Sequence, residues 1–114
     1  MARWLTYFRE RFPLPTYLLL VGAMISSGAM LYPGWRTAGI SAWIWSSAGM
    51  LLFFFELRLM DEFKDFAKDQ VAHPERPLPR GLLSAAEVRA VISAGLAVML
   101  AFVGVLAATH LLAA

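Results

Sequence analysis

Three aspartates, Asp61, Asp65 and Asp69, recur at every fourth residue of the run Leu57-Arg58-Leu59-Met60-Asp61-Glu62-Phe63-Lys64-Asp65-Phe66-Ala67-Lys68-Asp69. The stretch that follows, His73-Pro74-Glu75-Arg76-Pro77-Leu78-Pro79-Arg80-Gly81, sets two arginines in a proline-stiffened loop. On a helix, a spacing of four stacks the carboxylates along one face. At roughly 6 Å and an effective dielectric near 20, each neighbouring pair repels by about 3 kcal/mol, and nothing in folding asks for that. A hard divalent cation reverses the sign, and carboxylates with some retained waters suit Mg²⁺. Arginine supplies bidentate contacts to phosphate oxygens. Acids, a metal and arginines together are equipment for holding a diphosphate. The spacing therefore predicts Asp61, Asp65 and Asp69 as metal ligands and Arg76 and Arg80 as diphosphate-binding residues, with no group assigned a catalytic role.

A plainer reading competes. Lys64 and Lys68 are interleaved with the aspartates, as on a solvated, salt-bridged helical face. The position of the stripe, where an apolar helix ends, and the arginines directly after it favour the binding site. Glu56, at the end of the preceding apolar run, and Glu62 are candidate site-lining acids, since an ionisable group near a membrane is a functional candidate by default. Arg58, two residues from Glu56, does not face it on a helix. His73 precedes a proline and reads as a solvated turn residue, and His110 as interfacial. Trp35, Trp43 and Trp45 fit an interfacial aromatic belt. Phe53, Phe54, Phe55, Phe63 and Phe66 surround the acidic stripe and suit either an isoprenoid tail or ordinary lipid and helix packing.

The elements that must position these residues follow from composition. Of 114 residues, 60% are hydrophobic and 16% charged, against about 45–50% and 25% in ordinary globular proteins. So short a chain cannot hide that much apolar surface in a core of its own. Twelve of its eighteen charged residues lie between Arg58 and Arg89. A soluble fold, a disordered tail and a nucleic-acid binder all fit poorly, and the absence of cysteine excludes disulfides and thiolate chemistry. Crossing about 30 Å of hydrocarbon takes roughly 20 apolar residues, and three uncharged runs approach that length. The expected helices cover about 14–32, 37–60 and 84–112, with an acidic cytoplasmic segment and loop at 61–83, all in a single transmembrane domain.

Pro33-Gly34-Trp35-Arg36 reads as the tight turn of a hairpin. Ser84-Ala85-Ala86-Glu87 reads as a capping box opening the third helix. Gly22, Gly28, Gly49, Gly95 and Gly104 are expected to let helices approach closely. Trp4, Leu5, Phe8 and Phe12 against Arg3, Arg9, Glu10 and Arg11 form an amphipathic lead-in. It is preferred to a signal peptide, whose apolar core is shorter. Nine basic residues flank the runs on the side of the N-terminus and the 58–89 segment, and only Arg36 marks the other. That imbalance predicts a cytoplasmic N-terminus and acidic segment.

The Asp61/Asp65/Asp69 register with Arg76-Pro77-Leu78-Pro79-Arg80-Gly81 resembles the first aspartate-rich motif and downstream loop of the UbiA intramembrane prenyltransferases. In that family the motif reads Asn-Asp-x-x-Asp-x-x-x-Asp, followed by Arg-Pro-Leu-Pro-Ser-Gly. Aligned on Arg-Pro-Leu-Pro, Asp61 falls on the Asn, Glu62 on the next acid, Asp65 and Asp69 on the later ones, and Arg80 replaces the Ser. Oxygen ligands are kept at every motif position. The resemblance implies an all-α integral membrane fold, here three transmembrane helices like the N-terminal part of a larger bundle. It further implies Mg²⁺ as cofactor, a polyprenyl diphosphate as ligand, and transfer of the prenyl group to an aromatic or other acceptor. The bacterial inner membrane is the implied location. Family members carry a second aspartate-rich motif, which these 114 residues lack, so a second chain supplying the missing helices is an expected partner. The alternative is a non-catalytic small membrane protein, an assembly partner or transporter subunit. No Asp, Glu, Lys or Arg stands mid-span, where a transporter would place one.

Overall fold

The computed structural model describes residues 2–34, 37 and 39–113, leaving aside the side chains of 110–113. The readings of Trp35 as a belt residue, of Arg36 as the outer cation and of the His110 side chain as interfacial lie outside the described residues. All regular structure among them is helical: α1 Ala2–Arg11, α2 Leu14–Leu31, α3 Ile40–Lys64, α4 Phe66–Ala72 and α5 Ala85–Ala113. Three helices are long and apolar enough to cross a membrane, with mean hydropathies of 1.6 for Leu14–Leu31, 1.5 for Ile40–Lys64 and 2.5 for Ala85–Thr109. Their apolar side chains face outward, Leu19, Leu31 and Leu100 among them. Water is a poor solvent for such a surface and lipid a good one. This is an all-helical membrane protein.

Contacts divide it into two units, Met1–Phe55 and Glu56–Ala114. In the first, α1 carries Arg9 and Arg11 in its last turn, where cations complement the helix dipole. Pro13 stops it, because the residue before a proline is driven out of the helical region. Pro15 is tolerated in the first turn of α2. An aromatic cluster fastens α1. The Phe55 ring stacks on Phe8 at 5.2 Å and meets Phe12 at 5.5 Å, Tyr7 at 6.3 Å and Trp4 at 6.5 Å edge-on. Phe12 stacks on Tyr17 at 3.9 Å, while Tyr17 leans on Phe54. Tyr7 and Phe12 are buried. Phe54 and Phe55 thus serve helix packing, while Phe53 stays exposed.

α2 ends at Tyr32, whose N–H donates to the Ala29 carbonyl ahead of Pro33. α3 begins at Ile40, three residues later than the apolar run suggests. Thr37 is spent in a turn onto the Gly34 carbonyl, and the Ala42 N–H reaches Gly39. Residues of α2 and α3 line a shared cavity of about 420 Å³ that includes Met24, Gly28, Tyr32, Trp43 and Met50; two residues of the expected Pro33–Arg36 turn, Trp35 and Arg36, lie outside the described residues. The close approach expected at the glycines does not occur at Gly22, Gly28 or Gly104, where no neighbouring atom lies within 4 Å of an added Cβ. At Gly28 the reason is the cavity itself.

In the second unit, α3 runs on to Lys64, past the expected end at residue 60. It breaks only at Asp65, whose backbone turns to φ −90°, ψ 7° before α4. Successive N–H groups still reach back four residues, Asp65 to Asp61 and Asp69 to Asp65. The acidic segment is therefore helical to Ala72. The capping box at α5 forms as read: the Ser84 N–H donates to Glu87 Oε2 at 3.1 Å and the Glu87 N–H to Ser84 Oγ at 3.0 Å.

Aromatic pairs contribute about 0.5–1.5 kcal/mol each beyond area burial, and Phe55 makes four. Phe55→Ala should release α1, speeding tryptic cleavage at Arg3, Arg9 and Arg11 in detergent by about tenfold. Phe53→Ala should leave it unchanged. Equal cleavage of the two variants would show that the cluster does not hold α1.

Candidate functional site

α3 past Glu56, α4, the loop from His73 to Ser84 and the start of α5 form the setting of the predicted site. Leu59, Leu78, Leu83 and Val88 are its buried apolar residues, with Pro77 alongside. The loop is pinned by its own backbone. The N–H groups of Leu82 and Leu83 both donate to the Pro77 carbonyl, Arg80 reaches Arg76, and Gly81 reaches Leu78. Gly81 takes φ +79°, the left-handed conformation in which a side chain would be strained. The Pro77–Leu78 plug and this turn fix where Arg76 emerges.

Arg76 Nη1 donates to Asp69 Oδ1 at 2.8 Å. Asp69 is only 2% exposed and Glu62, on the same helical track, likewise 2%. Its hydrogen bond to Asp69 holds the Arg76 guanidinium in its charged form more firmly than usual, and the charges of Asp69, Glu62 and Glu75 add to this. Burial of carboxylates beside an arginine is the arrangement under which such acids are tolerated.

Helical geometry explains which acids gather. Steps of four on a helix of 3.6 residues per turn drift by about 40° each, so Asp61 and Asp69 point about 80° apart. Residues seven apart, Glu62 and Asp69, differ by only about 20°. Accordingly Asp61 is exposed and paired with Lys64 at 3.3 Å, Asp65 is half-buried, and Asp69 is buried. Among the described residues no three carboxylate or imidazole groups converge on one point. The donor chemistry, carboxylate oxygens throughout, suits a hard cation. In position, the two outer aspartates already hold basic side chains of the chain itself.

Arg80 is exposed, and its Nη1 donates to the Glu75 carbonyl at 2.8 Å, which ties the loop. His73 Nδ1 lies 3.4 Å from Glu75 Oε1, in keeping with an exposed turn. The Glu75 carboxyl is held below its ordinary value by its own backbone N–H first and by His73 and Arg76 further. Phe63 is partly exposed, with the Arg89 guanidinium over its ring at 5.6 Å.

Glu56 does not snorkel. It is 2% exposed, neither carboxylate oxygen has a hydrogen-bond partner among the described residues, and the group lies against Gly95 of α5. A Cβ at Gly95 would collide with the Glu56 carboxylate. Gly95, expected only as a small residue at a helix contact, thus belongs to this setting. Glu62, expected as a site-lining acid, shares a helical track with Asp69 through their seven-residue spacing.

Gly95→Ala gains about 1 kcal/mol of helix propensity and displaces the carboxylate. In a Glu56→Ala background the gain should appear as a higher melting temperature; in the native background the displaced acid should offset it, leaving a coupling of about 1 kcal/mol in the double-mutant cycle. Equal shifts in both backgrounds would mean that the carboxylate does not occupy the face of Gly95.

Comparison of the chain with family models, with curated proteins and with solved structures finds no match.

Proposed function

We propose that this chain binds a polyprenyl diphosphate at the membrane surface as part of a UbiA-type prenyltransferase, with Mg²⁺ held by Asp61, Asp65 and Asp69. The observation that carries the reading is the ion pair of buried Asp69 with part-exposed Arg76. The acidic segment and the Arg-Pro-Leu-Pro-Arg loop, which the resemblance treats as two halves of one diphosphate site, are joined through this pair. The location that goes with this reading is the bacterial inner membrane, with the N-terminus and the acidic segment cytoplasmic.

The chain's own residues would act as follows. Asp65 and Asp69 anchor the cation, and Arg76 takes phosphate oxygens in bidentate fashion. Glu62 keeps the face acidic, and Arg80 closes the loop over the head group. Mg²⁺, if bound there, would supply charge neutralisation to the diphosphate. The apolar helices accept the isoprenoid tail in the same phase in which it dissolves.

Transfer itself asks for more than these residues offer. Ionising an allylic diphosphate requires stabilisation of charge that develops in the transition state, and the cation left behind must be kept from water. One acidic cluster grips one side of the leaving group, and the 114 residues contain no second such motif.

Asp65→Ala and Asp69→Ala should each weaken Mg²⁺-dependent binding of a polyprenyl diphosphate by about tenfold or more, the worth of a charge-assisted contact. Lys64→Ala, which removes only an exposed partner, should not. These 114 residues alone should bind without turnover. Identical affinities across the three variants would reduce the stripe to a solvated face, and robust transfer by the purified monomer would show that half a site suffices.

A further inference from the structure

A second cavity opens where the end of α3 meets the start of α5. Its volume is about 240 Å³, and Met60, Phe63 and Lys64 of α3 line it together with Arg89 and Ile92 of α5. The two helices run antiparallel here, since Glu56, further back on α3, lies against Gly95, further on in α5. Lys64 and Arg89 therefore stand at one end of the two spans, and both helices lead from there into their apolar stretches. Leu57 precedes Met60 on the same face of α3, and Leu96 and Leu100 follow Ile92 on the same face of α5, at helical spacings of three and four. All three leucines are exposed.

Arg89 sets the chemistry of the rim. Its guanidinium lies over the Phe63 ring at 5.6 Å from the centroid. An aromatic face holds a guanidinium by its flat side and leaves the N–H groups around its edge to meet an anion. Lys64 shares its charge with Asp61 at 3.3 Å, a pair without net charge, so Arg89 gives the rim its positive sign. The fork of an arginine matches the oxygens of a phosphate. Charge at the rim, an apolar wall below it and an exposed apolar track beyond is the order of groups along a phospholipid. Basic pockets between spans take the anionic head groups of such lipids.

We propose that the groove between the end of α3 and the start of α5 binds an anionic phospholipid, its phosphate held by Arg89 on the Phe63 ring and an acyl chain laid along Met60, Ile92 and the leucines beyond. The site draws on neither the Asp69–Arg76 pair nor any metal, so it stands or falls apart from the diphosphate reading. A zwitterionic phospholipid carries a cation beside its phosphate, which Arg89 repels, so the groove selects by net head-group charge. A soluble phosphate ester offers the same phosphate without hydrocarbon and gains nothing from the apolar wall.

The test measures binding of dioleoyl phosphatidylglycerol to the full chain in dodecyl maltoside by native mass spectrometry, with EDTA present to exclude metal. Native protein should bind it about tenfold more tightly than dioleoyl phosphatidylcholine, the worth of one charge-assisted contact. Arg89→Gln should abolish that preference. Arg89→Lys, which keeps the charge without the fork, and Phe63→Leu, which removes the ring beneath it, should each weaken it several-fold. Lys68→Gln deletes an exposed charge of α4 outside the groove and should match native protein. Helix content by circular dichroism identifies a variant that has failed to fold, in which case Arg89→Lys and Phe63→Leu carry the comparison. Glycerol phosphate at millimolar concentration should leave the lipid bound; its displacement would mean that the groove takes a soluble phosphate ester and not a lipid. Equal affinity of native protein for the two lipids, or equal loss in Arg89→Gln and Lys68→Gln, would overturn the site.

Discussion

Two carboxylates placed out of water on one helical track constrain this structure more than any other feature. Glu62 and Asp69 are each 2% exposed, and an ionised acid so placed is costly unless a cation stands beside it. The loop after α4 delivers that cation. Its prolines exclude a helix over 74–79, Gly81 turns the chain at positive φ, and Leu78 and Leu83 bury themselves as the chain doubles back. The outcome is one guanidinium at 2.8 Å from one carboxylate oxygen. Leu78 and Leu83 therefore act on the site indirectly: they carry no chemistry, yet they decide where Arg76, the arginine bonded to Asp69, can be.

The membrane explains the rest of the organisation. Three long apolar helices expose their large side chains, so little of their stability comes from burial against one another, and lipid must solvate them. Most of the charge gathers from the end of α3 to the start of α5, with twelve of the eighteen charged residues between Arg58 and Arg89. The kink at Asp65 is where the helix stops being a span and becomes a scaffold, yet the backbone bonds from Asp65 to Asp61 and from Asp69 to Asp65 survive it. The track of acids is thereby kept in phase across the break. A cluster of aromatic pairs around Phe55, with Tyr7 and Phe12 buried in it, fastens α1.

Much of this was legible in the residues. Apolar runs of about 20 residues, a Pro-Gly turn between them and the Ser84–Glu87 box fix helices within a few residues, because each rests on a local rule that tertiary context does not overturn. The site was legible in its members and not in its geometry. A period of four looks like a stripe in the sequence, yet on the helix it winds, carrying Asp61 to the surface and Asp69 to the interior. The seven-residue relation of Glu62 to Asp69 is less conspicuous and is the one that shares a face. Glycine was misread for a related reason. Its small size permits close approach without requiring it, so Gly22, Gly28 and Gly104 face open space while Gly95 is filled, and what fills it comes from a residue 39 positions earlier in the chain.

Glu56 marks where folding ceases to be the explanation. A leucine or methionine there would lie against Gly95 with no polar atom to satisfy, whereas the carboxylate has no hydrogen-bond partner among the described residues. Solvation cannot account for the acid, since it is 2% exposed, and pairing with Arg58 is prevented by the two-residue offset on the helix. The surrounding structure nonetheless makes room for it, by placing at 95 the one residue whose lack of a side chain leaves space for the carboxyl group. Local rules of stability are broken at that point, and the neighbouring helix accommodates the break by leaving space for the carboxyl group.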